Sequence, residues 1–150
     1  MALGTTIGKN SILALILLGL LSSCVEGGKR LSDVNFFYDS YLCEDSLSRY
    51  DLSLFARLPQ GYGKSSLDVV MVVTTPSGDK YSDTLMLPIT RSGIEAKTFN
   101  SGIWTDYSWR YRWGVSMPQK GKWKFFLKTD ISLPKGSVGV VVTKLQNGKG

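Results

Sequence analysis

Apolar and polar residues alternate with a period of two along most of this 150-residue chain. In the segment 50–58 every second residue is apolar, and Asp51, Ser53 and Arg57 lie between the apolar ones. Successive side chains of a strand point to opposite faces, so this alternation predicts a strand with one buried face. The same period recurs at 107–115 and 122–128, and no segment after residue 23 has the 3.6-residue period of an amphipathic helix. The sequence therefore predicts an all-β fold.

Turn residues divide these segments at regular intervals. Proline and glycine mark turns at 75–79, 117–121 and 134–136, so residues 67–87 are predicted to form one hairpin. The segment 67–74 is nearly continuous Val and Met, which predicts a central strand covered on both faces. The least regular region, 88–106, is predicted to cross between two sheets. Seven or eight short strands in this arrangement predict an antiparallel β-sandwich, jelly-roll or immunoglobulin-like.

Two of the predicted strands raise the question of a binding surface. We expect the aromatic row 107–113 to fill the core and Arg110 and Arg112 to face water, because buried arginines are costly unless paired. The alternative is an exposed aromatic platform that stacks against sugars. In the segment 122–128 the core residues alternate with lysines, although Phe126 interrupts the polar face. If the two strands pair as a hairpin, one candidate partner-binding patch results: Arg110, Arg112, Lys122, Lys124 and Lys128.

The N-terminus has the features of a bacterial lipoprotein leader. Lys9 precedes an apolar core at 12–20, which is too short to span a bilayer, and Leu21-Ser22-Ser23-Cys24 follows as a lipobox. We therefore predict that residues 1–23 are removed and that Cys24 carries a diacylglycerol and an N-acyl chain, which together give a stable membrane anchor. Residues 24–33 form a short tether, 34–145 the β-sandwich, and 146–150 a frayed tail.

The composition excludes several functional classes. The chain has no histidine, which removes Ser–His–Asp and Cys–His catalysis and the commonest zinc ligand. The carboxylates are scattered without the spacing of a metal site or an acid–base pair, so a carboxylate hydrolase is the least favoured reading and no cofactor other than the lipid is expected. With Cys24 lipidated, Cys43 lacks an intrachain partner and is predicted to be a small buried residue. Without the leader the net charge is +5, an excess that favours anionic lipid, glycan or acidic protein surfaces; no nucleic-acid module is present.

Several segments, taken in order, resemble one family of envelope proteins. They are Arg49-Tyr50-Asp51-Leu52-Ser53-Leu54-Phe55-Ala56-Arg57, Ser66-Leu67 with Pro76-Ser77-Gly78, Asp83-Thr84-Leu85, Gly121-Lys122-Trp123-Lys124-Phe125, and Leu133 with Val138-Gly139-Val140. In this order and spacing they resemble the gliding-motility lipoproteins of the GldH family. The chain departs from the family pattern at Asp51, where the family tends to have Asn, at Thr129-Asp130, and between 91 and 104, where a Gly-Trp-rich connection is not reproduced.

The resemblance implies a non-catalytic lipoprotein of Bacteroidota-type bacteria that assists the gliding and associated type IX secretion machinery. Its implied partners are membrane lipid and other envelope lipoproteins, with no small-molecule substrate. Four positions match the family pattern without an assigned ligand: Tyr50, Arg57, Asp83 and Gly139. We expect Tyr50 in the core and, as a hypothesis, an ion pair between Arg57 and Asp83.

Localisation is predicted from the residues after the lipidated cysteine. Val25 is not an inner-membrane retention signal of the Asp type, so we expect the outer membrane. Only one acid, Glu26, follows closely, whereas an acidic cluster is typical of surface-exported lipoproteins in these bacteria; this favours the periplasmic face. The rival function is a glycan-binding envelope lipoprotein that uses the strand 107–113.

Overall fold

The computed structural model describes residues 33–89 and 96–146. The predictions for the leader, Cys24, the tether up to residue 32 and the tail 147–150 lie outside the described residues. No helix among the described residues is long and apolar enough to cross a membrane.

The described chain forms eight β-strands in two four-stranded antiparallel sheets. The strands are β1 (Asp33–Cys43), β2 (Arg49–Pro59), β3 (Ser66–Thr74), β4 (Lys80–Pro88), β5 (Lys97–Ser101), β6 (Trp104–Ser116), β7 (Gly121–Pro134) and β8 (Val138–Lys144). The first sheet has the order β1-β7-β3-β4 and the second sheet the order β5-β6-β2-β8. The predicted all-β sandwich is confirmed. Because β1 and β2 lie in different sheets, the strand order differs from that of immunoglobulin domains, in which the first two strands are neighbours.

The core forms from the inward faces of the two sheets, as the alternation predicts. In β2 the alternate residues from Tyr50 to Leu58 are all buried, and in β7 Trp123, Phe125 and Leu127 are buried. Lys122, Lys124 and Lys128 point to the opposite side and are exposed. The period of two therefore identified both the core face and the solvent face of these strands.

The prediction for β3 is wrong in one respect. This strand is central in the first sheet, but only Leu67, Val69 and Met71 are buried, whereas Asp68 and Val70 are exposed. No layer of the described chain covers the outer face of the first sheet, so the Val-rich composition does not indicate burial on both sides. Apolar residues on this outer face are consequently available to solvent.

The predicted hairpin 67–87 is confirmed as β3 and β4, which pair in register from Ser66 with Pro88 to Thr74 with Lys80. Gly78 in its turn has φ of 97°, a left-handed conformation that glycine adopts without steric cost. The predicted crossing between sheets within 88–106 is also confirmed, since β4 belongs to the first sheet and β5 to the second. This region is more regular than expected, because it contains β5 and the start of β6.

One side of the sandwich is closed by a hydrogen bond between edge strands. Asp39 in β1 accepts the backbone N–H of Val140 in β8 through its Oδ2, at 3.0 Å. A Cβ atom on Gly139 would approach the same oxygen to 3.0 Å. Gly139 therefore leaves room for a carboxylate to reach the edge of the second sheet, which gives this family-matched position a structural role.

Cys43 and Tyr50 lie together at one end of the core. The Cys43 thiol is buried, and its sulfur lies 3.6 Å from the Tyr50 hydroxyl oxygen. The Tyr50 hydroxyl donates to the carbonyl oxygen of Asp45. Burial, followed by the bond to Cys43, raises the pKa of Tyr50 well above its usual range. The predictions that Cys43 is buried and that Tyr50 belongs to the core are confirmed.

Candidate binding surfaces

The five basic residues proposed as one patch do not share a surface. β6 pairs with β2 and β5, and β7 pairs with β1 and β3, so β6 and β7 do not form a hairpin. Arg110 and Arg112 belong to the second sheet, and the lysines at 122, 124 and 128 lie on the outer face of the first. The prediction of a combined patch is wrong because alternation within a strand carries no information about which strand pairs with it.

The aromatic row of β6 divides into a buried part and an exposed part. Tyr107 and Trp109 are buried, Tyr111 is half-buried, and the side chain of Trp113 is 67% exposed. The register between β2 and β6 shifts on both sides of Leu52, which identifies bulges in the pairing. A bulge changes the face to which the following residues point. The core prediction therefore holds for the first half of the row and fails at Trp113.

An open groove of about 1090 Å³ runs past the exposed part of this row. We name it the Trp113 groove; its lining includes Asp83 and Met86 from β4 and Arg110, Arg112 and Trp113 from β6. The guanidinium carbon of Arg110 lies 5.7 Å from the centroid of the Trp113 ring, within the range of a cation–π interaction. The groove thus offers an aromatic surface beside a fixed positive charge.

A polar cluster forms another part of the same groove. The Tyr111 hydroxyl donates to Oδ2 of Asp83 at 2.8 Å, and a terminal nitrogen of Arg112 lies 3.7 Å from that oxygen. Burial is the main cause that raises the pKa of Tyr111, and the bond to Asp83 raises it further. The hydroxyl therefore remains a donor at neutral pH. Arginine, carboxylate and hydroxyl groups in one groove supply both donors and acceptors to a polar ligand.

The predicted ion pair between Arg57 and Asp83 is wrong. Arg57 instead donates twice to Asp106, from Nε at 2.6 Å and from a terminal nitrogen at 2.7 Å. Arg57 and Asp106 are direct neighbours across the β2–β6 pair, whereas Asp83 lies in the other sheet. The bidentate bond to Arg57 lowers the pKa of the Asp106 carboxyl.

The second candidate surface is the outer face of the first sheet, which we name the lysine–aromatic face. Phe36, Tyr38 and Leu42 of β1 are 47%, 76% and 60% exposed. Phe126 of β7 pairs with Tyr38, and their ring centroids are 5.1 Å apart. On β1, β3 and β7, the apolar and basic residues that define this face are Phe36, Tyr38, Leu42, Val70, Val72, Lys122, Lys124, Phe126 and Lys128.

The strand register arranges this face in rows. Lys128 lies between Phe36 and Val70, and in the next row Phe126 lies between Tyr38 and Val72. Among the described residues, Lys122, Lys124 and Lys128 form no ion pair with a carboxylate. The sequence predicted that these lysines are exposed but did not predict the aromatic cluster beside them. Phe126, which interrupts the polar face of β7, was the residue in the sequence that could have indicated it.

The described residues contain no cluster of three or more His, Cys, Asp or Glu side chains positioned to hold a metal ion. The chain matches no family model, no curated protein and no solved structure. The fold defines the class of the protein as a two-sheet antiparallel β-sandwich, and its described residues form the Trp113 groove and the exposed lysine–aromatic face.

Proposed function

We propose that this protein is a lipid-anchored, non-catalytic component of the bacterial outer membrane that assists the gliding and type IX secretion machinery through protein contacts. The observation that carries the proposal is the lipobox at Leu21–Cys24. Only eight residues separate Cys24 from the start of β1 at Asp33. The resemblance to the GldH family supplies the machinery in which such an anchored sandwich would act.

The anchoring supports function through modest contacts. A chain spans at most about 3.5 Å per residue, so the sandwich would begin within about 30 Å of the lipidated cysteine. Confinement near the membrane raises the effective concentration of a protein toward partners held there. Among the described residues, the Trp113 groove is one exposed surface available to such partners.

The experiment compares the wild-type lipoprotein with Cys24→Ser and Cys43→Ala in its native host. A clickable palmitate analogue should label wild type and Cys43→Ala but not Cys24→Ser. Gentle cross-linking and affinity capture from the outer membrane, read by mass spectrometry, should recover gliding or secretion lipoproteins with the wild type and lose them with Cys24→Ser. Palmitate labelling of all three proteins, or capture of no envelope machinery by the labelled wild type, would refute the proposal.

A second candidate function, glycan binding, is favoured by the Trp113 groove. An exposed indole beside arginine and carboxylate groups combines a stacking surface with hydrogen-bonding groups, a combination suited to a sugar ring. The variant Trp113→Ala should abolish retention on envelope-polysaccharide beads. Phe99→Ala removes an equally exposed aromatic residue from β5 and is the matched control. Equal retention of both variants would exclude the groove as a glycan site.

A further inference from the structure

We propose that the lysine–aromatic face docks flat on the anionic headgroup surface of a phospholipid bilayer. The proposal rests on the lipid anchor proposed at Cys24 and adds the orientation of the sandwich relative to the membrane. The proposal gives a function to the exposed outer face of the first sheet, which contributes neither to the core nor to the proposed binding at the Trp113 groove.

The composition of the face matches the membrane interface. Tyrosine, which has an apolar ring and a polar hydroxyl, is enriched at the level of the lipid headgroups. Phenylalanine lies on the apolar side of interfacial segments, where it enters the boundary between headgroups and acyl chains. Lysine extends an apolar stem along such a surface and keeps its ammonium group near the phosphates. Phe36, Tyr38 and Phe126 provide the rings, and Lys124 and Lys128 lie in the rows on either side of Phe126.

The charge of the face favours lipid phosphate and disfavours a second copy of this chain. Two copies placed face to face would bring together the unpaired lysines of β7, and like charges repel. The nearest carboxylates of the outer face, Asp68 and Asp130, lie beyond the row of Lys128. Asp130 is already paired with Lys64, which offsets its charge.

The short tether would keep this face close to the bilayer. The first row of the face, at Phe36, begins three residues after Asp33, where β1 starts. With a maximum tether of about 30 Å, the lipid anchor at Cys24 holds this end of the first sheet near the headgroups. The tether sequence also contains Lys29 and Arg30. Docking is then an intramolecular step, which needs little affinity per contact.

The experiment places a dye on either side of the sandwich in the full lipidated protein, reconstituted into vesicles. Ser40→Cys puts an environment-sensitive dye on the outer face of the first sheet, and Thr143→Cys puts it on exposed β8 of the second sheet. The buried Cys43 thiol does not compete for the dye. The vesicles contain phosphatidylcholine alone or with 30% phosphatidylglycerol, each with headgroup-spin-labelled lipid as the quencher.

With phosphatidylglycerol present, the dye at residue 40 should be quenched and the dye at residue 143 should not. Each lysine near an anionic surface contributes about 1 kcal/mol, so Lys124→Gln with Lys128→Gln should lower the ratio of docked to undocked protein about thirtyfold. The matched control, Arg49→Gln with Lys97→Gln, removes the same charge from the second sheet and should leave the ratio unchanged. High salt should release the docked state.

Three results would overturn the proposal. Equal quenching at residues 40 and 143 would show that the sandwich has no fixed orientation. An unquenched dye at residue 40 on protein that remains vesicle-bound would reject docking while leaving the lipid anchor intact. Protein without lipid on Cys24, which intact-mass measurement detects, would instead remove the anchor on which the proposed function and the docking both depend.

Discussion

The indole of Trp109 joins the two sheets, and its removal is the sharpest test of the sandwich. Trp109 belongs to β6 in the second sheet, is only 3% exposed and stacks on Tyr107 with ring centroids 5.5 Å apart. Its indole N–H donates to the carbonyl oxygen of Pro88 in β4 of the first sheet, at 2.9 Å. The change Trp109→Ala therefore removes core volume and a bond between sheets at once.

The expected loss in the free energy of unfolding follows from the lost core volume and the lost hydrogen bond. A buried aromatic residue removes about 150–250 Å² from water, which at about 25 cal/mol/Å² gives about 4–6 kcal/mol as an upper bound. Truncation of a buried Trp to Ala costs about 3–5 kcal/mol. Trp109→Phe keeps most of the apolar contact but leaves the Pro88 carbonyl without its donor, at about 1–3 kcal/mol. Because small domains are stable by about 5–15 kcal/mol, the Ala variant should lose a large share of the free energy of unfolding.

Urea unfolding followed by far-UV circular dichroism measures these differences without relying on tryptophan fluorescence. With an m value of about 1–3 kcal/mol/M, a loss of 4 kcal/mol lowers the midpoint by roughly 1.3–4 M. Trp113→Ala, four residues further along β6, is the control; its exposed side chain should change stability by less than about 0.5 kcal/mol. Equal midpoints for the two Ala variants would refute the assignment of Trp109 to the core and Trp113 to the surface.

Three further predictions concern single residues. Gly121→Ala should destabilise the protein by about 1–3 kcal/mol in urea unfolding, because Gly121 has φ of 123° and a Cβ atom there would lie 3.0 Å from Pro76; an unchanged midpoint would contradict that backbone conformation. Asp106→Asn should lower the free energy of unfolding at neutral pH. Arg57 lowers the pKa of Asp106 and so stabilises the fold only while the carboxylate is charged; the difference in free energy between wild type and variant should therefore shrink as pH falls below about 3.8. A difference that does not change with pH would refute this linkage. The Cys43 thiol should react with maleimide in urea and at least 100-fold more slowly in the native protein, as intact mass would record, and rapid native labelling would contradict its burial.

Much of the sandwich was predictable because burial on one side of a strand appears directly in the sequence. Every second residue from Tyr50 to Leu58 and from Trp123 to Leu127 is apolar, and in both strands the predicted core face is correct, although Phe55 and Phe126 interrupt the polar face. The hairpin 67–87 was predictable for a similar reason, since its turn combines Pro76 and Gly78 between two apolar segments.

The errors arise where the outcome depends on other strands. The assignment of Trp113 failed because bulges between β2 and β6 interrupt the period of two, and a bulge has no strong signal in this sequence. Arg57 was paired with the wrong aspartate because an ion pair requires knowledge of the neighbouring strand. The combined basic patch failed for the same reason, since consecutive strands β6 and β7 lie in different sheets.

For a protein anchored in a membrane, as proposed above, the two free edges of the second sheet have a consequence. Exposed strand edges can pair with the edges of neighbouring molecules and so nucleate aggregation, and crowding in two dimensions makes such encounters frequent. At the β8 edge, the Asp39 carboxylate accepts the backbone N–H of Val140, and Gly139 leaves the space that the carboxylate needs. At the opposite edge, β5 is only five residues long and begins with the charged Lys97, so a strand of a neighbouring molecule finds few backbone groups to pair with. These features would allow many anchored copies to stand side by side without pairing through the edges of the second sheet.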